Sequence, residues 1–176
     1  KGVILLSAHF TSLELATRLL SQHFAVTAMY RPHRNPVFRK VMQSGRDTHA
    51  DVQTIPFDDV RGMIRAIKAG KIVWYAPDQD YGIKHAVYAP FFGVSAATIT
   101  ATSRIARMSG ATVVPVAHYR LPGGQYRIEF GHSLSNFPTR DDLADATRVN
   151  QTVEHYVRKM PEQYLWVHRR FKHQAD

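Results

Sequence analysis

Cysteine is absent from the sequence, which excludes a disulfide framework, a thiolate zinc site, an iron–sulfur cluster and a cysteine nucleophile. The lack suits a reducing compartment. Long apolar runs are missing too: none approaches the roughly 20 residues that span a bilayer, and no signal peptide opens the chain. Several catalytic motifs fail on single positions. Gly93-Val94-Ser95-Ala96-Ala97 lacks the second glycine of a serine elbow. Gly70-Lys71-Ile72 lacks the upstream glycine and the following hydroxyl of a phosphate loop, and neither G-x-G-x-x-G nor H-E-x-x-H occurs. The sequence therefore argues against a dinucleotide enzyme and a zinc protease. Acidic residues are in the minority, 14 against 23 Lys+Arg, for a formal charge of +9. That balance favours anionic partners: nucleic acid, acidic lipid, a phosphorylated metabolite or an acidic carrier protein.

What is present is enough for one domain with a sizeable core: 176 residues, 44% of them hydrophobic. The chain enters the apolar run Val3–Leu6 directly from Lys1, without an initiator Met, and reads as a fragment of a longer protein. Apolar runs alternate with helix-period segments, which predicts an α/β domain with a mostly parallel central sheet and flanking helices. Strands are expected at Val3–Leu6, Phe24–Tyr30, Val52–Ile55, Lys71–Ala76 and Val113–Ala117. Gly123-Gly124 then turns the chain into a partner strand at Tyr126–Phe130. Helices are expected after Ser12, from Asn35-Pro36 to Gly45, from a cap at Asp58 to Gly70, over Ala96–Met108, and over Asp141–Met160. Tyr81–Ser95 has Gly82, Pro90 and Gly93 but no period, and reads as a loop. No repeat or linker divides residues 1–176.

Four clusters hold candidate chemistry. His9 follows a buried strand, with Glu14 in the first turn of the next helix; a turn there lets the ring fold back toward the carboxylate. A carboxylate on one ring nitrogen fixes the tautomer and makes the other a general base. The alternative is a turn histidine and an acid complementing a helix N-terminus. Pro77-Asp78-Gln79-Asp80-Tyr81-Gly82 lies at the carboxyl end of a strand, where ligands of open α/β sheets gather. Asp78 and Asp80 are placed to hold a divalent metal or orient a base, or are ordinary turn acids. No acid-x-Lys triplet follows, so metal-dependent cleavage has little support. Arg31, Arg34, Arg39, Lys40 and Arg46 form a basic stretch suited to phosphate or carboxylate, or a solvated face. The tail Trp166-Val167-His168-Arg169-Arg170-Phe171-Lys172 is basic and aromatic together. It is suited to stacking on bases, lying on a membrane surface, or closing the fold with Trp166 buried, the reading preferred here.

Taken in order, these segments resemble the lipid A late acyltransferases of the lauroyl/myristoyl type, within the glycerolipid acyltransferase-like superfamily. The matching stretches begin with His9-x4-Glu14, Tyr30-Arg31-Pro32 with Asn35-Pro36, Gly45-Arg46 and Gly62-Met63-Ile64. They continue with Val73 to Gly82, Ala106 to Ala111, and Pro161 to Lys172. The resemblance covers almost the whole chain and lacks only the family's N-terminal membrane helix and its link to the core. It implies a single acyltransferase domain over residues 1–176, moving a fatty acyl group from acyl carrier protein to a hydroxyl of an anionic lipid A precursor. The work would be done at the cytoplasmic face of the bacterial inner membrane, without metal or nucleotide cofactor. His9 would be the base and Glu14 its orienter, with Arg46 and Asp78 completing the catalytic set. Arg31, Arg34, Asp80, Arg169 and Arg170 would bind substrate. Competing readings are an acyltransferase for another glycolipid or phospholipid, an inactive lipid-binding relative, and a nucleic-acid-binding domain. The last leaves the His9–Glu14 pair unexplained.

Overall fold

The inner strands of the central sheet carry apolar side chains on both faces. In β1 (Val3–Leu6), Ile4 and Leu6 enter one cluster and Leu5 the other. A strand sandwiched in this way belongs in the middle of a parallel sheet. The structure, a computed structural model, describes residues 1–30, 35–38, 40–41 and 52–174. After β1 come α1 (Leu13–Ser21), β2 (Val26–Tyr30), β3 (Val52–Pro56), α2 (Val60–Lys68) and β4 (Ile72–Tyr75). Then follow β5 (Ala86–Phe91), β6 (Val94–Ile99), α3 (Ala101–Ser109), β7 (Thr112–Arg120), β8 (Tyr126–Phe130) and α4 (Asp142–Val157). The main sheet has six strands in the order β3-β2-β4-β1-β7-β8. All neighbours are parallel except β8, which returns antiparallel on β7. The expected α/β architecture is therefore present.

Two layers of helix cover the sheet. Met63, Ile64 and Ile67 of α2, Ile105 of α3 and Val149 of α4 pack on Ile4, Leu6, Val73 and Val113. On the opposite face, Leu20 of α1 packs with Leu5, Val26, Trp74 and Val116. The cap of α2 is Asp59, not Asp58: its Oδ1 accepts from Gly62 N at 2.8 Å. Residues 36–38 are helical behind Asn35, whose Oδ1 accepts from Val37 N at 2.9 Å. Gly45, expected to stop that helix, lies outside the described residues.

The stretch after β4 departs most from expectation. Residues 81–85 are the expected loop, but the rest of the predicted loop, up to Ser95, and the front of the predicted helix Ala96–Met108 are instead the hairpin β5–β6, and α3 begins only at Ala101. Phe92 and Gly93 take positive φ values of 50° and 81°, the tight two-residue turn that matches strand twist. Pro90 is tolerated because both strands of a two-stranded sheet are edges. The hairpin is fastened to α4: Asn150 Nδ2 donates to Pro90 O and Thr98 Oγ1, and Glu154 Oε1 accepts from Phe92 N.

Candidate active site

Register assembles the site. Leu6 of β1 pairs with Tyr75 of β4 on one side and with Pro115 of β7 on the other. His9, Asp78 and His118 each lie three residues beyond that shared rung, at the carboxyl edge of three adjacent strands. His9 and Asp78 therefore share one edge of the sheet. Asp78 Oδ1 sits 2.6 Å from His9 Nδ1, and Oδ2 accepts from His9 N at 3.0 Å. One buried carboxylate, 4% exposed, thus holds both the backbone and the ring of His9. Burial alone raises the Asp78 pKa, but the His9 hydrogen bonds and charge, with a hydrogen bond from Tyr164, outweigh it and hold it below the usual carboxylate range. Burial and Asp78 push the Tyr164 phenol up, so it stays a donor. An ionised Asp78 accepts the hydrogen bond from Nδ1–H of His9, which leaves Nε2 as the basic atom.

The C-terminal tail forms the other wall. Phe10 bridges Tyr164, Thr11 N donates to Gln163 O at 2.8 Å, and Leu165 N donates to His9 O at 2.9 Å. Asp80 is spent on this wall. Its carboxylate accepts from His173 N and Gly82 N and meets His173 Nδ1 at 2.9 Å, while its N–H donates to His168 Nε2 at 2.8 Å. It fastens the tail, where substrate binding was expected. Arg170 turns inward as well. Only 3% exposed, it donates to Ala97 O at 2.7 Å and Thr98 Oγ1 at 2.8 Å and lies over the Phe91 ring. Arg169 is exposed. Trp166, expected to be buried, is 49% exposed; its Nε1 donates to Pro161 O while the ring edges Tyr164 and Phe92.

A histidine on an anionic carboxylate at a sheet edge is a general-base arrangement found on many folds, so chain-wide similarity has to decide among them. Residues 1–173 match the family described as bacterial lipid A biosynthesis acyltransferase. The chain belongs to that family. It is 39% identical over 174 residues to a lipid A biosynthesis lauroyltransferase of Escherichia coli (strain K12), covering 98% of this chain and 56% of that one. A lipid A biosynthesis palmitoleoyltransferase of the same organism is 38% identical over the same shares. A lipid A biosynthesis acyltransferase of Haemophilus influenzae (strain ATCC 51907 / DSM 11121 / KW20 / Rd) is 35% identical, covering 99% of this chain and 57% of that one. The chain thus spans little more than half the length of these relatives. Among the described residues no helix is long and apolar enough to cross a membrane.

In this member of the lipid A acyltransferase family, the carboxylate on His9 is not the Glu14 chosen from the sequence. Glu14 is an exposed acid in the first turn of α1, and Asp78 holds Nδ1. Arg31, Arg34 and Arg46 lie outside the described residues. His118 was missed, because the predicted strand stops at Ala117 whereas β7 runs to Arg120. It is 1% exposed and its Nδ1 meets Ser12 Oγ at 2.8 Å, so the expected cap Ser12 serves the β7 strand instead. Its Nε2 has no hydrogen-bond partner among the described residues.

Burial, with a smaller push from His9, lowers the His118 pKa from 6.5 to about 4. Folded His118 therefore refuses the proton that the unfolded chain accepts near 6.5. Between pH 6.5 and 4 the unfolded state binds more protons, so stability falls as pH falls and levels off below 4. Urea unfolding at pH 7 and 4.5 should show about 2–3 kcal/mol of this loss in the parent and much less in His118→Gln. Equal losses in both proteins would remove His118 as the cause.

Proposed function

We propose that this chain carries the catalytic centre of an enzyme that moves a fatty acyl group from an acyl carrier protein thioester to a hydroxyl of an anionic lipid A precursor. The observation that carries the reading is the 2.6 Å contact between His9 Nδ1 and buried Asp78. An alcohol is a poor nucleophile at neutral pH, so its attack on a thioester needs a base. His9 Nε2 takes the hydroxyl proton as the oxygen attacks the thioester carbonyl carbon. Asp78 keeps the Nδ1 proton in place and stabilises the imidazolium that forms. The tetrahedral intermediate collapses with cleavage of the carbon–sulfur bond. The thiolate takes the proton back from His9 Nε2 and leaves as the carrier thiol, with the acyl ester on the acceptor.

The developing oxyanion needs donors fixed in advance. The N–H groups of Asp80 and Gly82 are engaged elsewhere, and we assign this role to Arg46, as the family resemblance implies. Arg31 and Arg34 would hold acceptor phosphate. Both substrates are acidic, and a chain of +9 draws them in. The family names of the relatives support lipid A as the pathway, and we place the reaction at the cytoplasmic face of the inner membrane, where a soluble carrier can meet a membrane acceptor.

The test is an acyl transfer assay with acyl carrier thioesters and a lipid A precursor, following acyl ester and free carrier thiol together. Equal amounts of both are expected. Thiol release without ester would identify a thioesterase and overturn the reading, as would ester formation on nucleophiles that lack phosphate at the same rate.

A further inference from the structure

The wall beside His9 ends in an apolar knob. Val167, at 85%, is the most exposed large apolar side chain among the described residues, and Trp166 next to it is 49% exposed. Ile83, 63% exposed, lies on the neighbouring loop, which Asp80 ties to His168 and His173. Both loops are held at their bases by hydrogen bonds, so the knob is a fixed feature of the fold. A water-soluble surface gains nothing by presenting these side chains together.

We propose that Trp166, Val167 and Ile83 form the face by which this protein sits on an anionic lipid surface, a proposal that rests on the lipid-acceptor reading above. Charge selects the occupant. Lys84, Arg169 and Lys172 are exposed in the same two loops, and Glu162 is the only acid between residues 158 and 173. Exposed apolar side chains with cations in the same loops match an interface where acyl chains lie beneath anionic headgroups. The indole suits that depth: its Nε1 already donates to Pro161 O, so burying the ring strands no donor. Position matters as much. Leu165, one residue before Trp166, donates to His9 O, so a membrane at the knob lies beside the general base. An acceptor lipid then presents its hydroxyl to His9 without leaving the bilayer.

The protein has no cysteine, so single cysteines carry an environment-sensitive fluorophore without other changes. Val167→Cys and Ile83→Cys report the knob. Met108→Cys, 60% exposed near the end of α3 just before β7 begins, reports the opposite edge of the sheet. With vesicles of equimolar phosphatidylethanolamine and phosphatidylglycerol, the probes at 167 and 83 should shift to the blue and be quenched by brominated acyl chains, while the probe at 108 should not. Arg169→Gln with Lys172→Gln should weaken vesicle affinity by roughly 10- to 30-fold, about fivefold for each charge. Vesicles of phosphatidylcholine alone should bind correspondingly less. Unshifted probes at 167 and 83 would overturn the proposal, as would a shift produced by acyl carrier protein and not by vesicles. The readout needs no acyl transfer, so a failed transfer assay leaves it standing and unshifted probes leave the transfer reading standing.

Discussion

Alanine at His9 and asparagine at Asp78 should each reduce acyl transfer by ~10²–10⁴-fold, and His9→Ala should do so while the protein keeps its melting temperature. For His9 the argument is chemical: without Nε2 the acceptor hydroxyl must attack largely unaided. The side chain is 21% exposed at a strand-to-helix turn, so truncation removes little packing. For Asp78 the argument is geometric. Its two oxygens both accept from His9, one from the backbone N–H and one from the ring. Asparagine has one oxygen. If that oxygen keeps the backbone N–H, the amide NH₂ faces Nδ1, which must then accept, and the proton moves to Nε2, where the base should be. If the amide flips, its NH₂ collides with the His9 N–H. Either way the imidazolium loses the charge that stabilises it. Glu14→Gln separates the two carboxylates. It should have a small effect, because the carboxylate on the ring is Asp78. A Glu14→Gln protein as impaired as Asp78→Asn would return the orienting role to Glu14. His9→Ala retaining near-parental rate and normal melting would remove His9 from the mechanism.

Arg170→Ala should destabilise the fold by roughly 3 kcal/mol or more, with whatever activity survives showing an ordinary acceptor KM. The guanidinium is 3% exposed and donates to Ala97 O and Thr98 Oγ1. Bonds from a charged donor contribute about 1.5–3 kcal/mol each, and truncation leaves their acceptors buried and dry. It also opens a void beside Phe91 in the cluster that holds Tyr164, the residue supporting Asp78. Urea unfolding and acceptor saturation curves on the same preparation check both halves. A stable variant with a raised acceptor KM would show that Arg170 reaches the substrate. Arg169→Ala, with an exposed side chain, should leave stability within about 0.5 kcal/mol of the parent.

The sheet was legible because its inner strands are short apolar runs bounded by turn residues, written by burial on both faces, and its last strand alternates apolar and charged residues after a Gly-Gly turn. Val3–Leu6 and Tyr126–Phe130 fall where the pattern puts them. The β5–β6 hairpin was not legible. Ala96, Ala97 and Thr98 are small residues that suit a helix in isolation, and what makes them a strand is the fit of Ala96 against Phe91 and Tyr164 and of Thr98 against Asn150 and Arg170. Tyr164, Asn150 and Arg170 arrive from far along the chain. The same distinction runs through the site. His9 and Asp78 stood out as polar residues just past strand ends, whereas the pairing between them depends on β1 lying beside β4. A local reading had only Glu14 within reach of His9. Arg170 and Asp80 looked like ligand-binding groups because charge in a basic tail and a turn is normally solvated; here the tail folds back and consumes both.

The contact on which the mechanism rests joins residues 69 positions apart. Nothing within either segment prefigures it: β1 and β4 must first find each other in register, with α1, β2, β3 and α2 already threaded between them. Parallel pairing of that kind closes a long loop before any contact rewards it, and forms late. In refolding from urea, helical signal should therefore return ahead of catalytic competence, and the two should separate further in variants that weaken the β1–β4 seam. A chain paused in that interval would carry both halves of the base and neither its proton nor its aim, so that acyl transfer, on the function proposed above, becomes a measure of completed topology.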